Sequence, residues 1–151
     1  MTKELLVMEC ININAWYDQA RQSKKLNGLT VKTLWALRKN MKKIAEVVDS
    51  FNEFKTSLES ELTESYFNDE KSEETTTTNE QGQEVPVRKV KDKYLEEYQN
   101  EINEINKKLN DLALTKEKIE FSSINIENEI ERIGEGCDLD MDDLDILSVF
   151  E

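Results

Sequence analysis

The chain has 151 residues, enough for one domain with a modest core, and 35% of them are charged against 37% hydrophobic. That balance fits long helices with solvated outer faces, and four glycines with one proline leave too few chain reversals for an all-β or Rossmann-like fold. Histidine is absent and the net charge is −13; the first excludes His-based nucleophile pairs and most zinc sites, and the second disfavours contact with nucleic acid or anionic membrane.

Residues 2–25 read as a first helix, with Leu6, Cys10, Ile13, Tyr17 and Ala20 on one face and Trp16 beside them. Cys10 behaves there as a small hydrophobe, and neither it nor Cys137 sits in a CxxC pair, as expected of thiols kept reduced in the cytosol. Asn27 and Gly28 suggest a left-handed helix end and Thr30 the cap of the next helix. Residues 1–30 therefore form a short helix and a corner, where Trp16, Tyr17 and Trp35 are expected to meet.

A second helix is predicted over residues 31–67, about 55 Å long at about 1.5 Å per residue. Its stripe, Leu34, Leu37, Met41, Ile44, Val48, Phe51, Leu58 and Leu62, alternates three- and four-residue steps. Val47 and Phe54 add a second apolar line. The cations Lys32, Arg38, Lys39, Lys42 and Lys43 fall on this helix, and pairing with acids elsewhere in the chain is the expected fate of their charge.

Residues 68–86 hold four consecutive threonines and six acids against one lysine, with no apolar period, so a flexible acidic loop is expected. A third helix over residues 87–119 carries Leu95, Tyr98, Ile102, Ile105, Leu109, Leu112 and Ile119. Two stripes of similar length joined by a polar tract imply a long antiparallel helical hairpin, a coiled coil, with the first helix packed at its base.

Residues 120–151 form an acidic closing segment with eleven Asp or Glu and one arginine. FSSINIENEIERI alternates apolar and polar residues and reads as extended; Gly134 and Gly136 mark a turn, and Asp140 caps a short helix bearing Met141, Leu144, Leu147 and Phe150. The Asp138 to Asp145 run resembles the start of a calcium loop, but loop position six is Asp143 and position twelve Val149, so capping explains it without metal. The expected architecture is one mainly α domain.

The order of these segments resembles a group of small helical proteins encoded by phages of low-GC Gram-positive bacteria. LTVKTLWALRKNMKKIAEVVDSFNEFKTSL opening a long helix, and IEFSSINIENEIERI followed by LDMDDLDILSVFE, carry the likeness. It implies a phage origin and residence in the cytoplasm of a bacterial host, and carries over no functional residues.

With no catalytic constellation, cofactor motif or membrane span, a non-enzymatic protein is expected, acting through a host or phage protein partner. One function is an acidic inhibitor that occupies the basic nucleic-acid-binding surface of a host defence protein, for example a CRISPR effector nuclease. Its candidate contacts are Glu127, Glu129, Glu131, Glu135, Asp138, Asp140, Asp142, Asp143 and Asp145, with Trp35 and Phe54 as apolar anchors. The other is a virion structural or assembly accessory whose hairpin stripe forms a coiled coil with a further subunit or a second copy.

Overall fold

A computed structural model describes residues 1–151. The chain is mainly helical, 63% helix against 16% strand, and divides into two units, residues 1–51 with 113–151, and residues 52–112. No helix is long and apolar enough to cross a membrane.

The first unit begins not with a helix but with strand β1, Thr2–Leu6, followed by helix α1, Val7–Gln22. β1 pairs antiparallel with a strand at Lys116–Glu120, placing Lys3 opposite Ile119 and Leu5 opposite Glu117. Leu5 and Ile119 thus enter the core from one face, while Glu4 stands across from Lys118 on the other. Leu6 continues the apolar spacing of Cys10, Ile13, Tyr17 and Ala20, which is why residues 2–6 look helical in isolation. α1 starts where Glu9 accepts the Leu6 amide at 2.7 Å, and it ends early because Lys24 takes a left-handed φ of 61°. Gly28 has no left-handed φ; a side chain there would meet Ile133, and its carbonyl accepts from Arg132.

Helix α2 spans Val31–Tyr66 as expected, capped by Thr30, whose hydroxyl accepts the Thr33 amide at 3.3 Å. Its first half supplies Leu37, Met41, Ile44 and Val48 to a core shared with Cys10, Ile13 and Ala20 of α1. The extended segment expected over residues 121–133 is not formed: residues 121–125 belong to no strand or helix, and residues 126–133 are helical because Ile126, Ile130 and Ile133 fall at helical spacing. Asn40, fully buried, donates to the Ser122 carbonyl and accepts its amide, both at 2.8 Å. A side-chain amide thus substitutes for a neighbouring strand. The chain then forms helices Ile126–Ile133 and Met141–Leu147, and Phe150 closes the core edge-on to Phe121 at 5.0 Å.

In the second unit the expected flexible loop of residues 68–86 is replaced by a hairpin of β2, Ser72–Thr78, and β3, Glu84–Val90. The four threonines are β-branched and favour extended backbone; Thr75 lies opposite Val87 and Thr77 opposite Val85. Asn79 accepts the amides of Gln81 and Gln83, and Gly82 takes φ 76° to complete the turn. Helix α3 is Asp92–Ala113, shorter than residues 87–119 because strands claim both ends. Lys71 sits over the rings of Tyr66 and Tyr94, and Tyr66 and Phe67 contact Tyr98, fixing the hairpin base. α3 has no buried residue, and Leu58 and Leu62 of α2 are only half-buried.

The remaining strand and helices are numbered in chain order: β4 Lys116–Glu120, α4 Ile126–Ile133 and α5 Met141–Leu147. Replacing Asn40 by Ala removes both hydrogen bonds to the half-buried main chain of Ser122, so urea unfolding of Asn40→Ala is expected to show a loss of about 2 kcal/mol. Lys39→Ala, on the exposed side of the same turn, should change stability by no more than about 0.5 kcal/mol.

Candidate functional site

The acids of the closing segment divide into two populations. Ile126, Glu129, Ile130 and Ile133 share one face of α4, so Glu129 enters the protein among isoleucines and is 5% exposed. It is held there by the Thr30 hydroxyl at 2.5 Å, the Thr33 hydroxyl at 2.6 Å, the Thr30 amide at 3.1 Å and Arg132 at 3.0 Å. Burial pushes its carboxyl up, but these hydrogen bonds outweigh burial and hold it at about 2.

Asp143 is buried in the same manner. Trp16 donates its indole N–H at 2.8 Å, the Asp140 amide donates at 2.9 Å, and Lys25 lies at 3.2 Å. Burial again opposes ionisation and the three donors outweigh it, so Asp143 stays below the usual carboxylate range; Lys25, between Asp143 and Asp140, is raised. Asp140 accepts the Asp143 amide in return, a reciprocal cap on α5. Glu129 and Asp143 therefore leave the group of candidate surface contacts, and Asp140 is engaged in capping.

Glu127, Glu131, Glu135, Asp138, Asp142 and Asp145 are exposed. Together with Glu120 and Glu151 they make no ion pair, because the one arginine of the segment is bound to Glu129. The result is an uncompensated acidic surface on the first unit. Trp35 is 61% exposed and makes no ring contact with Trp16 or Tyr17, which touch each other at 6.5 Å; the expected aromatic corner has only two members. Phe54, of the second unit, is 42% exposed.

The cations of α2 depart from expectation. The chain's ion pairs involve Lys25, Lys71, Arg88, Lys116, Lys118 and Arg132. Lys32, Arg38, Lys39 and Lys42 have none, and Lys43 donates to the Glu120 carbonyl. Carboxylates of the closing segment reach Trp16, Lys25 and the Thr30 and Thr33 hydroxyls at the start of α2 instead.

Comparison with protein-family models, with curated proteins and with solved structures found no match.

Because Glu129 is held below its ordinary value of 4.5, its stabilisation is complete above about 4.5 and is lost as pH falls through about 2. Glu129→Gln should lower stability by about 2 kcal/mol at neutral pH. The gap between wild type and variant, followed by urea midpoint, should shrink between pH 4.5 and about 2.

Proposed function

We propose that this is a non-enzymatic, phage-encoded protein that binds and inhibits a host protein through the latter's basic nucleic-acid-binding surface. It acts in the host cytoplasm as an anti-defence inhibitor, for example of a CRISPR effector nuclease. The observation that carries this reading is the division of the C-terminal carboxylates. The fold engages Glu129, Asp140 and Asp143 and leaves Glu127, Glu131, Glu135, Asp138, Asp142 and Asp145 exposed and unpaired. Unpaired carboxylates, four of them on α4 and α5, resemble a phosphate row in charge and need little reorganisation on binding.

A second reading has a specific observation behind it. If α2 and α3 run as an antiparallel coiled-coil hairpin, its stripe stays incomplete, since Leu58, Leu62, Ile102, Ile105 and Leu109 are only half-buried and Phe54 is exposed. A virion subunit, or a second copy, could complete it.

Pull-down from host lysate at low and high ionic strength, with and without nuclease treatment, separates the readings. The inhibitor reading expects one protein retained after nuclease treatment, released at high salt, and lost by about tenfold when Glu127, Glu131, Asp138, Asp142 and Asp145 become Gln or Asn. Capture unchanged by salt and by these substitutions would refute it. Self-association abolished by Phe54→Glu would favour the second.

A further inference from the structure

We propose that the cleft between α1 and the first half of α2 is a docking groove for an acidic, amphipathic segment of a partner protein. The groove lies wholly within the first unit, encloses about 480 Å³ and is open to solvent along one side. Its floor is apolar, with Leu26, Leu34 and Met41, and Tyr17 forms part of one wall. Arg21, Arg38 and Lys42 line it, opposed by Asp18 alone. None of the three cations has an ion-pair partner; Arg21 rests over the Tyr17 ring at 5.4 Å.

Charge complementarity identifies the occupant. A chain of net charge −13 repels polyanions at long range, so an extended nucleic acid meets an unfavourable field before it reaches three local cations. A short segment carrying two or three carboxylates meets the local field with far less repulsion. The open side argues against a small ligand, which is ordinarily enclosed over most of its surface. It admits the edge of a helix, which would place apolar residues on the floor and acids along Arg38 and Lys42.

The rim continues the same chemistry. Val31, Trp35, Arg38 and Lys42 stand at intervals of four, three and four residues, on one face of α2. Val31 is 82% and Trp35 61% exposed. An exposed tryptophan beside unpaired cations is the composition found where a few residues carry most of the binding energy. This groove uses none of the carboxylates of the acidic surface, so either site can fail without the other.

The test is a selection of random peptides displayed against the purified full chain. Enriched peptides should interleave Asp or Glu with Leu, Ile, Phe or Trp. Their affinity should fall at least about tenfold on the double substitution Arg38→Glu and Lys42→Glu, survive the exchange Arg38→Lys with Lys42→Arg, and survive neutralisation of Glu127, Asp142 and Asp145. Circular dichroism confirms that each variant folds, and the milder pair Arg38→Gln with Lys42→Gln, expected to lower affinity in the same direction, keeps the result decisive if the reversal does not fold. Three outcomes overturn the proposal: enrichment without acidic bias, binding indifferent to charge reversal, or displacement by a single-stranded oligonucleotide that itself depends on Arg38 and Lys42. Dimerisation of the free chain lost in the same double variant would also overturn it, by naming a second copy as the occupant.

Discussion

Asn40 satisfies both main-chain groups of Ser122 from the buried face of α2, and the first unit depends on that clamp. After β4 the chain must cross α2 without a strand beside it. An amide and a carbonyl left unpaired in this half-buried position would each cost about 1 kcal/mol. With both ends of the Asn40 amide engaged, Phe121 and Ile124 turn inward, and Ile124 donates its amide to Phe150, joining the extended segment to the end of the chain. The path of the chain into α4 therefore begins from two hydrogen bonds made by one uncharged side chain.

A second layer of polar contacts works against the same constraint. Segment 120–151 carries eleven acids and one arginine, so its own charges cannot hold it to the core by pairing internally. Two carboxylates are taken inside instead, each surrounded by donors from the N-terminal helices and the corner: Thr30 and Thr33 for Glu129, Trp16 and Lys25 for Asp143. Buried carboxylates are destabilising unless several donors meet them, and at both positions burial and donation oppose one another with donation the larger. The acids that remain outside are positioned by neighbours that are themselves fixed.

Much of this was legible in the residue pattern, and the failures have physical causes. The three- and four-residue spacing located α2 to within a residue, and the Asp140 cap and the burial of Cys10 follow from chemistry confined to a few neighbouring positions. The hairpin of β2 and β3 was not legible because a run of threonines reads as polar when hydropathy is weighed and as extended only when β-branching is. β1 was hidden because Leu6 fits the helical face of the residues that follow, and its partner β4 lies more than a hundred residues away. Glu129 carried a usable signal, an acid between Ile126, Ile130 and Ile133 on one helical face. Asn40 carried none, since a buried asparagine on a helix declares itself only once its main-chain partner is placed.

The two units differ in how their order is maintained, and that difference bears on where the molecule can respond to a partner. The first unit holds the contiguous apolar core, from Leu5 to Phe150. The second has only Tyr66 and Val90 as buried apolar side chains, with Lys71 between two tyrosine rings and Arg88 bonded to Ser72 and Asp69. A two-stranded hairpin is marginal alone in water, and aromatic and cation–π contacts of this kind contribute about 0.5–1.5 kcal/mol each. Local opening therefore requires less free energy in residues 52–112 than in the first unit. The acidic surface and the cationic cleft both lie in the unit with the larger core, so their geometry persists when the second unit opens.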